Sequence, residues 1–401
     1  MDELAREYLL IGLSIGGLQE GIVDAYHGPP ELLELAAGAT EGPLGLAQRA
    51  AALRNRLDES DDPARRRWLD RQLVALETLA QRLGGVELPY LVEVERCFDA
   101  LPEKTPPEEY GRVRAELDEL LPGRGGLPAR LEQRDNRLTV PADRVADIAH
   151  WLVGELRGAA AAIWPMPAGE GLTISMVRDQ PWSAYNWYDG DLRSRIEINT
   201  DLPIRAPQLV GTLTHETFPG HHFEHAWKET RLWREQGHAE ATLQLINTPE
   251  AYISEGLAQV GGTLLADGPR WQALLTGTCE RAGIALSAAD AEREWRTAQA
   301  LRRLRGASGD AALQLHVAHR SREVVLRFLE QDALYGPERA RKSLEFIDHP
   351  LWRTYIFCYA GGERLIGRWC AAAGSLAAQQ ERFFRLLTGQ LTPSGIAQDL
   401  N

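Results

Sequence analysis

Apolar residues recur every three or four positions through most of the first 160 residues, which predicts a helical N-terminal region. One such stripe runs from Trp68 to Leu83, and Asp62 and Pro63 are suited to begin its helix as cap and first-turn proline. Pro141 opens a second predicted helix that reaches about residue 163. Leucine stripes of this kind are typical of core packing, so we predict a scaffold role for this region and assign it no chemistry.

The pattern changes at WPMPAGEG, residues 164–171, where prolines and glycines interrupt the helical period. Apolar and polar residues alternate in 171–179 and 193–203, which predicts strands of a small sheet. The helical period then returns, with helices predicted over 207–232, 249–266, 287–305, 310–334, 336–346 and 350–372. We therefore predict a mainly α fold with a helical region at 1–165 and a second region at 166–401 that contains the sheet.

Composition is that of an ordinary globular protein, since 44% of the 401 residues are hydrophobic and 25% are charged. The 44 Lys and Arg against 57 Asp and Glu give a net charge of −13, which argues against nucleic acid and anionic membranes as partners. No stretch reaches the roughly 20 apolar residues of a membrane span, and the N-terminus lacks a signal peptide's basic start, so we expect a cytoplasmic protein. Four separated cysteines without a CxxC pair argue against a thiolate metal site.

The segment LVGTLTHETFPGHHFEHAW concentrates side chains that can bind or serve a metal ion. Five of them fall within eleven positions: His215, Glu216, His221, His222 and His225. The opening His-Glu pair is similar to the start of the HExxH motif, in which two histidines one helical turn apart bind zinc and the glutamate activates a water. Here the position four after His215 is Pro219, so the second ligand has to be His221 or His222.

An uninterrupted helix would place neither histidine well. It would turn His221 about 120° away from His215 and put His222 roughly 10 Å further along the axis. Pro219 cannot donate a helical backbone hydrogen bond and Gly220 tolerates unusual dihedral angles, so we predict a kink or bulge in the metal-binding helix at this pair. We favour His221 as the second ligand and keep His222 as the alternative, and we place the small sheet next to this helix.

A catalytic zinc site usually has three protein ligands and one open position, and Glu255 is our candidate for the third ligand. It lies in TPEAYISEGLAQVGG, where Thr248 and Pro249 begin a predicted helix. A carboxylate among apolar residues needs a partner, and a metal ion is one; a solvated surface glutamate is the alternative. Glu224 and His225 are likewise compatible with an exposed helix surface.

The string HETFPGHH with the downstream EGLA resembles the family known as domain of unknown function 885, whose pattern is HExxPGHH followed by a Glu-Gly helix. The resemblance extends to YNWYDGDLRSRIEINTDLP and FIDHPLWRTYIFCYAGGERLIG and covers roughly residues 170–370. It implies a gluzincin-like metallopeptidase with a helical, zincin-like fold similar to thimet oligopeptidase and the carboxypeptidase Taq family. It also implies one zinc ion per chain and roles for four residues: His215, His221 and Glu255 as ligands and Glu216 as general base.

Further residues are candidates for contacts with the substrate. We expect Tyr359 to stabilise the oxyanion, with Tyr355 or His316 in reserve. Arg195 and Asn199 lie in 193–203, a segment that can bind an extended peptide if it is an edge strand and cannot if it lies inside the sheet. An arginine clamp for a substrate carboxylate, or plain surface salt bridges, are the two interpretations of a C-terminal set: Arg353, Arg320, Arg322 and Arg364.

Together these patterns predict a zinc-dependent peptidase that acts on peptides in a cleft between the N-terminal helices and the metal-binding region. Two alternatives stay open. One is a metal-dependent hydrolase of a non-peptide amide, and the other is a non-catalytic protein of the same fold that binds metal or peptide. The sequence leaves the oligomeric state open.

Overall fold

The computed structural model describes residues 1–180 and 182–400, and helices dominate it. This part of the chain contains nineteen α-helices and five short β-strands. The prediction of a mainly α fold is therefore confirmed. Within the same residues, no helix is both long enough and apolar enough to cross a lipid bilayer.

Eight helices precede the small sheet. Their bounds are Glu3–Leu18 (α1), Pro30–Ala37 (α2), Pro43–Arg54 (α3), Pro63–Leu83 (α4), Tyr90–Phe98 (α5), Pro107–Leu120 (α6), Leu127–Arg137 (α7) and Val145–Ala161 (α8). The predicted cap of α4 is confirmed, because Asp62 accepts hydrogen bonds from two backbone N–H groups of the first turn and Pro63 is the first helical residue. The helix predicted from Pro141 begins as a short 3₁₀ turn and continues as α8.

Eleven helices follow the sheet within the described residues. Their bounds are Ala206–Glu216 (α9), His221–Lys228 (α10), Pro249–Leu265 (α11), Gly268–Ala282 (α12), Ala288–Arg302 (α13), Ala307–His316 (α14), Arg322–Gln331 (α15), Pro337–Asp348 (α16), Ile356–Ala371 (α17), Leu376–Thr388 (α18) and Pro393–Gln398 (α19). A π-helical turn over Glu229–Glu235 extends α10.

Each predicted helix of this half coincides with helical structure, but some of the predicted boundaries are wrong. The predicted helix 310–334 is two helices, because the chain turns between them where His319 has a left-handed φ of +50°. The helix predicted from 350 begins only at Ile356, since the preceding residues form turns in which Asn247 donates a side-chain hydrogen bond to the carbonyl of Leu351. Helices α12, α18 and α19 lie outside the predicted set.

The small sheet has three strands, β2 (Gly171–Val177), β3 (Ala184–Gly190) and β4 (Arg193–Asn199), numbered after β1 (Val23–Tyr26). Strand β4 is central, parallel to β2 and antiparallel to β3. The segment that contains Arg195 and Asn199 is thus internal to the sheet, and β3 is an edge. Strand β1 pairs with β5 (Leu243–Leu245) in a separate ribbon, and both lie outside the predicted strands.

Buried side chains form two clusters. The smaller cluster contains side chains from the four helices α1, α2, α3 and α4 and from the segment 239–246, together with Leu351. The larger cluster contains α5, α6 and α8 together with β4 and the C-terminal helices. Core membership therefore crosses residue 165, and the predicted division of the chain at that point stays a prediction.

Helices α11 and α17 cross with their backbones in contact. A Cβ atom added to Gly256 of α11 would lie 2.4 Å from the carbonyl carbon of Gly362 in α17. A Cβ atom on Gly362 would in turn lie 2.4 Å from the carbonyl oxygen of Tyr252. This close approach fixes the distance between the first turns of α17 and the side chains of α11.

Replacing Gly256 with alanine should destabilise the protein by about 1–3 kcal/mol, because the added methyl group collides with backbone that cannot rotate away. Gly154 is the matched control, since it is an exposed position of helix α8 and a Cβ there meets nothing within 4 Å. Its replacement with alanine should be neutral or stabilising by roughly 0.5–1 kcal/mol. Urea unfolding measures both, and equal effects at the two positions would contradict the tight crossing.

Candidate metal centre

The local chain path around His215 brings two histidines together. Helix α9 ends with His215 and Glu216, the next four residues leave the helix, and α10 begins at His221. The peptide bond before Pro219 is cis. A Cβ atom on Gly220 would lie 1.7 Å from the carbonyl oxygen of His215, so the chain can pass this point only as glycine. The interruption predicted from the Pro-Gly pair is present.

Three potential ligand atoms converge at this break. His215 Nε2 lies 3.1 Å from His221 Nε2. Glu255, from α11, places its Oε2 atom 3.4 Å from His215 Nε2 and 4.0 Å from His221 Nε2. Within the described residues, these three side chains are the one group of His, Cys, Asp or Glu with such convergent atoms.

The spacing and bonding of these atoms suit a metal ion. Ligand atoms bound tetrahedrally to one zinc at the usual distances lie about 3.3–3.6 Å from each other, close to the separations found here. One converging atom, the buried Glu255 Oε2, has no hydrogen-bond partner among the described residues. Two imidazoles and one carboxylate are also a known donor set for catalytic zinc. The residues present therefore fit a divalent metal ion such as zinc.

The alternative ligand His222 points elsewhere. Its Nδ1 atom lies 2.8 Å from Ser194 Oγ of β4, and its Nε2 atom lies 3.0 Å from Glu170 Oε2. Both ring nitrogens of His222 thus lie within hydrogen-bond distance of residues in the sheet or next to it. His222 anchors α10 to the sheet and takes no part in the convergent cluster.

Buried carboxylates set the electrostatics of the cluster. Burial alone would lower the pKa of His221, but the nearby carboxylates of Glu224, 3.7 Å from Nδ1, and of Glu255 outweigh it and raise the pKa to about 9. Burial would raise the pKa of Glu255, yet the contact with His215 leaves it below its usual value. Burial raises the pKa of Glu216, and the neighbouring histidines only partly oppose this. The site therefore favours positive charge among its ligands.

Two tyrosines lie next to the cluster, Tyr355 at the N-cap of α17 and Tyr359 in its first turn. Tyr355 donates a hydrogen bond of 2.9 Å to Glu255 Oε1, and the ring of Tyr359 lies 5.7 Å from that of Tyr355. Burial and then the charge of Glu255 raise the pKa of both phenols well above the ordinary value, so both are hydrogen-bond donors at neutral pH. His316, the other reserve candidate, is bonded to the carbonyl of Ile347 instead.

The predicted substrate-binding residues have other partners. Arg195 pairs with Asp189 at 2.9 Å, and Asn199 donates to backbone carbonyls of the loop before β3. Arg353 is bound by the buried carboxylate of Glu93. Two of the remaining arginines are also engaged: Arg322 with Asp348 and Arg364 with Thr105.

The sequence patterns did not predict a buried network of polar side chains next to His221. His221 Nδ1 lies 3.1 Å from Ser254 Oγ, and Ser254 donates a 2.6 Å hydrogen bond to Glu224 Oε2. Lys228 lies 2.5 Å from Glu224 Oε1 and also contacts Glu250. Because Ser254 binds Nδ1 of His221, the other ring nitrogen, Nε2, is the one that faces the cluster.

The side chains of Glu224 and His225 are only 1% and 7% exposed, so the exposed-surface alternative is wrong for both. The pair of Glu224 and Lys228 at i and i+4 is a spacing that usually occurs on helix surfaces, and sequence alone gives no sign of its burial. Burial lowers the pKa of His225 to about 3, so this side chain is neutral at physiological pH.

The N-terminal region also reaches the centre. Tyr185 of β3 donates a hydrogen bond to Asp24 of β1. The charges of His221 and Glu255 both act on the pKa of Asp24, which places the Asp24 side chain near the candidate ligands. The expectation that this region carries no chemistry rested on its leucine stripes, and β1 lies outside them.

Comparison with known proteins defines the fold more than the activity. No family model and no curated protein matches the chain, so the resemblance to domain of unknown function 885 stays a prediction. Among solved structures, a proposed lipoprotein from Colwellia psychrerythraea matches with a TM-score of 0.54 and 15% identity over 89% of this chain. A proposed lipoprotein of unknown function from Shewanella oneidensis gives 0.52 and 12% over 92% of this chain. The matches cover 66% and 75% of those two proteins.

An M32 carboxypeptidase from Deinococcus radiodurans R1 aligns over 99% of this chain and 94% of its own length, with 14% identity and a TM-score of 0.39. That similarity is too low to support an argument. The two higher scores, at identities far below 25%, show a shared fold and leave the activity to be argued from the site itself.

Replacing Lys228 with methionine should destabilise the protein by about 3–5 kcal/mol, because two buried carboxylates would lose their cation. Lys342→Met is the matched control, since Lys342 pairs with Glu338 at the same i−4 spacing but is 58% exposed. Its loss should cost less than about 0.5 kcal/mol. Chemical denaturation of both variants measures the difference, and a small effect at Lys228 would show that the network contributes little.

Proposed function

We propose that the protein is a zinc-dependent peptidase in which His215, His221 and Glu255 bind the metal. The observation that supports this most directly is the convergence of three ligand atoms beside a buried glutamate and two protonated tyrosines. A zinc site with three protein ligands and a free position is the arrangement of hydrolytic rather than structural zinc.

The metal would polarise a substrate carbonyl and make a bound water more acidic. Glu216 follows His215 directly at the end of α9, where it acts as general base, taking a proton from the attacking water and passing it to the leaving amine. Tyr359 is placed to donate a hydrogen bond to the carbonyl oxygen as negative charge develops there. The single O–H of Tyr355 is donated to Glu255 Oε1 and holds that carboxylate in orientation.

An extended peptide has a place to bind beside this centre. Strand β3 is an edge of the sheet, and Asn186 in β3 donates a 2.7 Å hydrogen bond to the backbone carbonyl of Glu216. A peptide added along β3 would gain backbone hydrogen bonds close to the proposed base. We therefore assign peptide binding to β3, whereas the sequence analysis considered it for the segment that contains Arg195 and Asn199.

Purified protein should contain about one zinc per chain by elemental analysis and should cleave members of a peptide library, with products read by mass spectrometry. Glu216→Gln should keep the metal and lower cleavage by roughly 10²–10⁴-fold, because the amide cannot accept the proton. Glu235→Gln, at an exposed glutamate paired with Arg231, should leave metal and cleavage unchanged.

Three results would count against the proposal, each at a different step. A metal-free protein whose melting temperature is unchanged by a chelator would remove the zinc site. Equal activity of Glu216→Gln and the wild type would remove Glu216 as the base. A zinc-loaded protein that cleaves no peptide would favour a non-peptide amide substrate or a binding protein.

A further inference from the structure

Asp24 is an acidic side chain without a cationic partner at the edge of the candidate metal centre. It lies in β1, and its carboxylate accepts a hydrogen bond from Tyr185 of β3. Among the described residues it forms no ion pair, whereas Glu224 and Glu250 of the same neighbourhood share Lys228. The Asp24 carboxylate therefore has an orienting donor and no directly paired cation within the described residues.

The carboxylate lies near the proposed catalytic groups, because Tyr185, which binds it, is followed in β3 by Asn186, which donates a hydrogen bond to the backbone carbonyl of Glu216. Asp24 is solvent-exposed, yet the surrounding protein desolvates it enough to raise its pKa. The charges of His221 and Glu255 act on Asp24, and the charge of Asp24 acts on Glu216 and Tyr359. Asp24 thus belongs to the electrostatic environment of the candidate centre although it lies far from its ligands in sequence.

Two further aromatic rings lie beside Tyr185, the residue that binds the carboxylate. The Tyr185 ring lies 4.4 Å from the Trp187 ring and 5.7 Å from the Trp182 ring, and all three side chains are partly exposed. Aromatic faces attract ammonium and guanidinium groups through the ring quadrupole. A carboxylate beside such rings is a combination that recognises a cation and repels an anion.

We propose that Asp24, oriented by Tyr185, binds a cationic group of the substrate beside the metal centre. This inference rests on the proposed peptidase function and adds a substrate class to it. The group is the α-ammonium of a short peptide or the side chain of a nearby lysine or arginine, which share the same chemistry. A cation held at this place compensates the charge of Asp24 and fixes the register of the peptide relative to Glu216.

Asp24→Asn tests this, because the amide keeps the shape and loses the charge. The probe is a lysine-free peptide mixture in free and N-acetylated forms, with and without an internal arginine. Wild type should cleave the cationic members best, and Asp24→Asn should lower kcat/KM for these members by about 10- to 100-fold, mainly through KM. N-acetylated, arginine-free peptides should be cleaved equally by both proteins.

Asp58→Asn is the matched control, since Asp58 is 99% exposed and pairs with Arg66 away from the centre. It should reproduce wild-type kinetics on every peptide. Loss of preference for free N-termini identifies the α-ammonium as the ligand, and loss of preference for arginine identifies the side chain. The inference is overturned if Asp24→Asn cleaves cationic and neutral peptides in the wild-type ratio.

A binding measurement separates this inference from the proposed function. Titration calorimetry of tri-alanine and N-acetyl-tri-alanine, and of the arginine peptides, is carried out on Glu216→Gln with and without Asp24→Asn. Tighter binding of the cationic peptides that disappears with Asp24→Asn supports the cation site even if no peptide is cleaved. Peptide cleavage by the wild type without any such difference would leave the peptidase intact and remove the role of Asp24.

Discussion

The contact between Gly220 and the carbonyl oxygen of His215 is the constraint on which the centre depends. It lets the chain fold back after four non-helical residues, so that α10 starts beside the end of α9. In a continuous helix, the second histidine would point away from the first or lie too far along the axis. The break therefore replaces the one-turn spacing of the familiar zinc motif with a different path to the same juxtaposition.

Packing from two directions holds this local arrangement. The glycine contact between α11 and α17 brings Tyr355 within hydrogen-bond distance of Glu255. Tyr355 holds Oε1 of this third candidate ligand, and Oε2 is the oxygen that faces the two histidines. Behind His221, the chain of Ser254, Glu224 and Lys228 fixes the other ring nitrogen. Orienting partners of this kind reduce the freedom of ligand side chains before a metal ion binds.

Local sequence features predicted the helical class, the cap of α4, the break at Pro219 and Gly220, and a cluster of His215, His221 and Glu255. Each depends on residues close in sequence or on a recognised motif. The burial of Glu224 and Lys228 and the approach of Asp24 depend on contacts between distant segments, for which periodicity has no signal. The edge position of β3 depends on strand order, since β3 and β4 are neighbours in sequence but β2 pairs with β4 from the other side.

We infer that His215, His221 and Glu255 together bind one metal ion. Anomalous diffraction at the zinc edge from crystals of the purified protein tests this most directly. We expect one peak per chain, about 2.0–2.2 Å from His215 Nε2, His221 Nε2 and a carboxylate oxygen of Glu255. A peak coordinated by His222 and Glu170, or no peak near His215 in zinc-supplemented crystals, would contradict it.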